Sequence, residues 1–541
     1  MRSIASYDVV HMGGSLMRPY HQLKDDRWDA IVIGSGVGGL AAGGLLAKVG
    51  GKKVLILEQH YRAGGYTHMF TRPGYAWDVG VHYVGECEGP SSAVRAGFDY
   101  LTDARLQWHP MPTVYDRAII AGNTYDFPAG QAALKRSVMG YFPQEERGIN
   151  SYFQAVNSAR LATRGYMADQ TLPSALAKKV EQTIRAPFVR WANRTTLQVL
   201  RECTQNEELI GVLTAQWFDY GLPPAQSSFS IHANLVSHYL NGASYPVGGS
   251  SRIVETLLPT IEKSGGQVVI NAEVDEILVE DTKAVGVRMK DGRTLQAPLI
   301  VSDAGAHNTF GRLIRLPQPI CHDLKTIASS MAYLTLYVGI KQSAAALGLN
   351  GTNLMICPSF DHDSNERRFY QDLTEELPVL YISFPSAKDP EFERHFPGRT
   401  TIEACVPASY DSFTAWEQTR WMKRGDAYGR LKQELAARMQ EKLERYVPAV
   451  RGKIDYMELS TPLSAKHFMK HERGEAYGLA ATPARFCSQA LRAHTSITNL
   501  FLTGQDVVAP GVSGALFGGI IAASAILGKN LMSLIMKSQG K

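Results

Sequence analysis

The stretch from Ala30 to Glu58 constrains this chain more than any other. Ala30-Ile31-Val32-Ile33 is a short apolar run that stops at Gly34-Ser35-Gly36-Val37-Gly38-Gly39, a match to G-x-G-x-x-G. Leu40 to Val49 then reads as a helix rich in small residues, and Lys53-Val54-Leu55-Ile56-Leu57-Glu58 as a second buried strand ending in an acid. Strand, glycines, helix and strand make one parallel crossover unit. A glycine match alone is weak evidence. Here it follows a strand, opens a helix, and is answered 19 residues after Gly39 by Glu58, the pattern of a dinucleotide site. Gly34 permits the tight turn, Gly36 lets backbone approach a pyrophosphate, and Gly39 allows close helix–strand packing. The free N–H groups from Ser35 through Val37 and Gly38 then face phosphate charge at the helix N-terminus. Glu58 is placed to accept hydrogen bonds from ribose hydroxyls. The alternative is a glycine-rich turn with no ligand.

An acid at Glu58 disfavours a phosphate on the adenosine ribose. Gly64-Gly65, six and seven residues later, reads as backbone passing close to an extended ligand, or else as a plain loop. Further along, Gln131 to Arg201 has helical character. Val247-Gly248-Gly249-Ser250 opens an apolar helix to Lys263, and Gln267 to Ile270 follows as a strand. Val274–Glu280, Ala284–Lys290 and Thr294–Ser302 read as strands split by Asp-Thr-Lys and Asp-Gly turns. From Ala332 to Pro407 strand-like runs alternate with loops, and Ala427 to Tyr446 is an amphipathic helix. Leu500 to Thr503 returns to a strand, followed by glycines and a small-residue helix. That return points to one nucleotide domain assembled from discontinuous segments.

The 541 residues exceed the roughly 250–300 at which one core stops growing, so two domains are expected. Hydrophobic content of 45% and charged content of 20% exclude disordered, collagen-like and disulfide-scaffold classes. A net charge of +5 is too dilute for nucleic acid and compatible with peripheral contact on an anionic membrane. Cys87, Cys203, Cys321, Cys357, Cys405 and Cys487 show neither C-x-x-C nor metal-ligand spacing, so no metal is expected. They read as reduced thiols of a cytoplasmic protein. The start, MRSIASYDVVHMGGSLMRPY, lacks the continuous apolar core of a signal peptide. Gly511 to Gly528 holds 18 uncharged residues, but five are glycine and two serine, which dilutes it as a membrane span.

The E-x5-GG pattern after the fingerprint resembles the FAD-binding pattern of the amine oxidase and phytoene desaturase superfamily. Four segments resemble its retinol saturase and carotenoid isomerase branch: Asp78 to Gly85 (DVGVHYVG), Ser383 to Pro390 (SFPSAKDP), Arg473 to Gly478 (RGEAYG) and Leu502 to Val507 (LTGQDV). The resemblance spans about residues 29 to 530. It implies an α/β fold in which a FAD-binding Rossmann-type domain, glutathione-reductase-like, carries an inserted mixed α+β substrate domain. The expected FAD domain takes residues 25–100, 245–310 and 490–541, and the substrate domain residues 101–244 and 311–489. By resemblance, Val274 holds the adenine through backbone groups. Gly504 to Gly519 resembles the closing motif, whose helix N-terminus at Gly511 and Val512 faces the flavin edge where negative charge accumulates on reduction. Asp506, or by a shifted alignment Gln505, binds the ribityl chain.

A flavin moves hydride, so the protein must position a carbon and manage protons. Saturating a C=C bond takes one hydride and one proton; desaturation is the reverse. His82 and Tyr83, with Glu86 nearby, are the candidates for the proton, although a lone histidine is commonly structural. Tyr477 is another candidate, and Arg473 could anchor a polar end of a lipid. Aromatics between Gln131 and Pro246 (Met139 aside: Phe142, Tyr152, Phe153, Tyr166, Trp217, Phe218, Tyr220, Phe229, Tyr239, Tyr245) are core or the lining of an apolar tunnel. Leu531 to Met536, flanked by Lys529 and Lys537, could rest on a membrane or form a frayed terminal helix. The function expected is FAD-dependent oxidoreduction of C=C bonds in a lipophilic polyene (retinoid, carotenoid or other unsaturated lipid), with saturation preferred and the electron partner open. The rivals are a flavin amine oxidase and a non-catalytic prenyl-lipid carrier resembling the GDP-dissociation inhibitors.

Overall fold

The computed structural model describes residues 17–89, 92–316 and 322–539; Cys321 and the chain up to residue 16 lie outside them. Six parallel strands form the first sheet, in the order Met17–Pro19, Gln267–Ile270, Val54–Leu57, Ala30–Ile33, Ile300–Ser302 and Leu500–Leu502. Ala30–Ile33 and Val54–Leu57 are buried at every position, as parallel strands covered on both faces require. Their side chains alternate between two cores. Ala30, Val32, Val54 and Ile56 pack with the helices Val37–Lys48, Ala93–Thr102, Ser251–Glu262 and Gly511–Leu527. Ile31, Ile33, Leu55 and Leu57 pack against an antiparallel meander of Val274–Glu280, Lys283–Met289 and Thr294–Gln296.

Two details differ from the sequence reading. Thr294–Ser302 is not one strand: Thr294–Gln296 closes the meander, while Ile300–Ser302 enters the parallel sheet. The edge strand Met17–Pro19 carries no apolar pattern that could announce it.

Small residues set the spacing between the helices Val37–Lys48 and Gly511–Leu527. A Cβ on Gly519 would lie 2.6 Å from Ala41 Cβ, and one on Gly38 would lie 2.6 Å from Gly504 N. The helix Leu531–Ser538 folds back with Leu531 and Ile535 fully buried against this core. Two of the six residues considered for a membrane surface, Leu531 and Ile535, are therefore core. Among the described residues no single helix is long and apolar enough to cross a membrane; Gly511–Leu527 bends by 115° into Leu531–Ser538.

A seven-stranded sheet builds the rest, in the order Ile454–Ser460, Ala332–Ile340, Thr400–Ala408, Leu380–Ser383, Asn353–Cys357, Val114–Ile120 and Asn123–Pro128. A helix, His362–Gln371, interrupts the region read as strands and loops. Leu334, Leu336, Val338, Ile402, Ala404 and Val406 face the amphipathic helix Asp426–Tyr446. Cys405, Met355, Cys357 and Tyr381 face the opposite way, into a core built largely from helices between Gln131 and Tyr239. Buried Asp169, held by Arg185 (2.8 Å) and Arg492 (3.3 Å), ties one of those helices, Glu146–Gln170, to the segment before Leu500–Leu502.

Candidate active site

A cleft runs between the parallel sheet and the seven-stranded sheet; its empty space, open mouth included, is about 1820 Å³. One wall begins where the glycine motif turns. Gly34 takes a φ of +99°, a left-handed value suited to glycine, and its N–H donates to Leu57 O at 2.9 Å. A Cβ on Gly36 would lie 2.5 Å from Asp303 Oδ2. Gly39 does not line the cleft: a Cβ there would strike Gly34 O, which matches its packing role. Gly504, with φ +85°, lies behind the wall beside Gly38 and Asp303. The cleft wall thus includes Gly34, Ser35, Gly36, Val37 and Gly38.

Glu58, at the end of the next strand, also lines the cleft. Its carboxylate accepts from Ser35 Oγ at 2.5 Å, Ser35 N at 3.1 Å and His60 N at 2.8 Å. Burial nevertheless raises its pKa, because the charged form loses water. Ser35 Oγ in turn accepts from Gly64 N at 3.0 Å, so the glycine pair is tied to the fingerprint. A Cβ on Gly65 would lie 3.4 Å from Gly36 Cα. Val274 is in the same wall. At the other end, Gln505, Asp506, Gly511 and Val512 line the cleft. Asp506 accepts from Ala306 N (2.8 Å) and Leu479 N (2.9 Å), which pins two loops together. At the start of the helix Gly511–Leu527 Pro510 gives no side-chain cap, and Gly511 N donates to Gln505 Oε1 at 3.4 Å; the N–H groups that follow in the first turn favour an anion or a polarised carbonyl.

Asp303 is the residue of this wall that sequence reasoning missed. It follows the strand Ile300–Ser302 and faces the N-terminus of the glycine helix. Desolvation, with the Glu58 and Asp506 carboxylates adding to it, pushes its pKa up to about 8. An acid immediately after a sheet strand was the available signal.

The opposite wall takes Tyr333, Thr335 and Cys405 from the seven-stranded sheet, Phe218 from the short helix Ala215–Asp219 and Tyr477 from the segment before Pro483–Cys487, with His82 between the two walls. Tyr333 donates to Phe218 O at 3.1 Å, and burial raises the Tyr477 hydroxyl above its ordinary value. His82 Nδ1 lies 3.0 Å from Glu403 Oε2, and its Nε2 lies 4.0 Å from Cys405 Sγ. Burial, and then the positive Lys388, push its pKa down to about 3, so the ring is neutral near pH 7.

The other sequence candidates stand elsewhere. Tyr83 is turned away from the cleft; its hydroxyl lies 2.8 Å from Asp116 Oδ2 and 2.6 Å from Asp219 Oδ2, and its ring stacks on Tyr239. A hydroxyl has one hydrogen, so one of those acids must itself be protonated. Glu86 is exposed, with φ +56°, and faces His238 Nδ1 at 3.5 Å. Arg473 pairs with Asp411 and covers the Tyr410 ring. These three are not cleft residues, because the chain leaves the wall after His82 and the loop at Arg473 turns outward. Of the aromatics considered for a tunnel, Phe218 lines the cleft, whereas Tyr152, Phe153, Tyr166, Trp217, Tyr220, Phe229 and Tyr239 are packed core. The Ser383–Pro390 segment proves structural at this junction. Lys388 Nζ donates to His82 O at 2.9 Å, Asn353 Oδ1 at 2.5 Å and Ser383 Oγ at 2.7 Å, and Asp389 accepts from Gly248 N at 2.9 Å.

Residues 32–101 match the family model of an NAD(P)-binding Rossmann-like domain. The chain is 34% identical over 526 residues to all-trans-retinol 13,14-reductase of Danio rerio, covering 93% of this chain and 86% of that one. It is 26% identical to the chloroplastic prolycopene isomerase of Arabidopsis thaliana, over 93% and 84% of the two chains. Cyclohexylamine oxidase from Brevibacterium oxydans superposes with a TM-score of 0.58 at 17% identity, over 95% of this chain and all of that one, a likeness of fold alone.

Proposed function

The chain belongs to the family of all-trans-retinol 13,14-reductases, and from that premise we propose that it holds FAD in this cleft and reduces a C=C bond of a lipophilic polyene. It is an oxidoreductase of CH–CH groups. The observation that carries the cofactor reading is the continuity of the cleft wall. It runs from Val274 and Glu58, over a glycine turn where Cβ atoms at Gly36 and Gly38 would collide with Asp303 and Gly504, to the helix start at Gly511.

In this reading Val274 takes the adenine, Glu58 the ribose, and Gly34 to Gly38 the pyrophosphate. Gly64 and Gly65 give the passing backbone room, Gln505 and Asp506 meet the ribityl chain, and Gly511 and Val512 meet the ring edge. The flavin, when bound, supplies hydride-transfer chemistry. The chain's own part is to seat an apolar chain against Phe218, Tyr333 and Tyr477 and to exclude water there. It must also deliver one proton per double bond. His82 is the titratable ring in that wall, and its neutral imidazole offers a proton only if a partner replaces it. Amine oxidation is less well served: the Tyr333 and Tyr477 rings stand nearly perpendicular, at 86°, and do not present two facing π surfaces to an ammonium group.

The test is an absorption spectrum of the purified protein, then anaerobic reduction and addition of retinol, carotenoids and unsaturated fatty acids. Flavin bands, and reoxidation by one lipid class, support the reading and name the substrate class. A colourless protein that FAD does not reconstitute overturns it, and amine-dependent peroxide release redirects it.

A further inference from the structure

Behind His82 lies a buried carboxyl whose geometry fits only one use. Glu403 sits in the strand Thr400–Ala408, where every residue is buried, and its side chain has no solvent exposure. It stands two residues before Cys405 and so on the same sheet face, one step deeper than the cleft wall. Oε1 accepts from Asp78 N at 2.8 Å. Oε2 has no hydrogen-bond partner, and neither has His82 Nδ1, yet the two atoms lie 3.0 Å apart. A buried polar atom without a partner costs stability, so this pair is held in place by the surrounding fold.

We propose that Glu403 is the positioning and proton-supplying residue of the reduction, acting through His82. The inference rests on the reductase reading above. In the step, the Nε2–H bond of His82 breaks as a C–H bond forms at one alkene carbon, while the hydride supplied by the reduced flavin forms the C–H bond at the other. The Glu403 O–H bond breaks as His82 Nδ1 takes its proton, leaving His82 neutral with the opposite tautomer and Glu403 as a carboxylate. The alkene is reduced by two electrons and the flavin is oxidised; a solvent proton reaching His82 Nε2 from the cleft, with Nδ1 returning its proton to Glu403, restores the start.

The surroundings suit both states of Glu403. Tyr337 and Ser383 are its cross-strand neighbours. Asp78, itself bonded by Ser250 N and the Tyr245 hydroxyl, favours the Glu403 carboxylate through its backbone N–H, while burial and then the Glu403 charge raise the pKa of Asp78's own carboxyl to about 7. Burial raises the Glu403 pKa to about 8, and Lys388 opposes that rise. After transfer, the Lys388 ammonium, held by Asn353, Ser383 and the His82 carbonyl, stabilises the carboxylate. Asp116 and Asp219 lie beyond Lys388 and act on it as further like-signed acids.

The experiment compares wild type with Glu403→Gln, which keeps shape and hydrogen bonding but carries no transferable proton. The variant should bind flavin and be reduced by dithionite as wild type is. Its reoxidation by polyene should fall by roughly 100-fold, the scale of general acid catalysis, and lose the decline that wild type shows as pH rises through about 8. The second readout is independent of turnover: in protein labelled with ¹⁵N-histidine, the His82 ring resonances should move between about pH 6 and about pH 9 in wild type and stay fixed in Glu403→Gln. Reoxidation of Glu403→Gln at the wild-type rate and pH profile overturns the proposal, as do static wild-type His82 resonances, the measurement that decides if the variant does not fold. A reduced wild-type protein that no polyene reoxidises overturns the reductase reading and this proposal with it.

Discussion

Gly38→Ala should cost stability and cofactor together, for a reason visible in the backbone. The new Cβ would lie 2.6 Å from Gly504 N and closer still to Gly504 Cα, where non-bonded heavy atoms prefer about 3.5–4.0 Å. Both neighbours are backbone, so a rotamer change does not relieve the contact. The crossover helix and the closing segment must separate by roughly 1 Å, and overpacking of that kind costs about 1–3 kcal/mol. Replacing glycine by alanine in a helix returns about 0.5–1 kcal/mol, which leaves a net loss of up to about 2.5 kcal/mol and, with about 2 cal/mol/K of unfolding entropy for each of 541 residues, a midpoint lowered by up to about 2 °C. Gly140→Ala is the control. It lies in the helix Gln131–Tyr141 with no atom within 4 Å of an added Cβ, so it should hold or raise the midpoint. Thermal unfolding and the flavin-to-protein absorbance ratio read both effects. A Gly38→Ala protein with wild-type midpoint and wild-type flavin content, beside a well-behaved control, would refute both the packing argument and the cofactor placement.

Gly36→Val should strip FAD, because its side chain enters the space between the glycine turn and Asp303; near-normal flavin occupancy in a folded variant would defeat that placement. His82→Ala should keep flavin yet slow turnover at least ~10-fold, at the low end for lost acid–base chemistry; unchanged turnover on a verified substrate removes His82 from the mechanism. Ile535→Ala should cost about 2–5 kcal/mol in chemical denaturation, as a fully buried aliphatic does, and leave vesicle binding untouched; the reverse pattern would restore the membrane-surface reading of that helix. Asp303 supplies a pH test. Its pKa rises on folding from 3.8 to about 8, so it stabilises the fold below its unfolded value and loses that contribution as pH climbs through the folded one. The flavin-free protein should therefore weaken between about pH 4 and about pH 8, and Asp303→Asn should flatten that slope; an unaltered slope in the variant would count against a protonated Asp303.

The interleaving of the two sheets was legible where it rests on local pattern. The apolar runs at Ala30–Ile33, Val54–Leu57, Gln267–Ile270 and Leu500–Leu502 all enter the parallel sheet, because a strand covered on both faces must be apolar throughout. Thr294–Ser302 misled for the converse reason: hydrophobicity does not reveal a change of sheet within one run. His82 and Tyr83 illustrate the limit at the site. Both are polar aromatics in one segment, and only packing sends the first into the cleft and the second towards Asp116 and Asp219. Glu403 is a lone acid in a buried strand, and Lys388 lay unexplained within the Ser383–Pro390 resemblance.

What the sequence determined by itself is the short-range chemistry: a turn that needs glycine, a strand that needs apolar residues, and an acid about twenty positions on, all set by neighbours within one crossover unit. Tertiary structure alone decided which distant side chains share the cleft. Asp303 meets the glycine turn, Glu403 meets His82, and Lys388 meets the His82 carbonyl only when two sheets with different strand orders close on each other. Such contacts depend on the register and packing of whole layers, whereas periodicity along the chain encodes only the face of its own element.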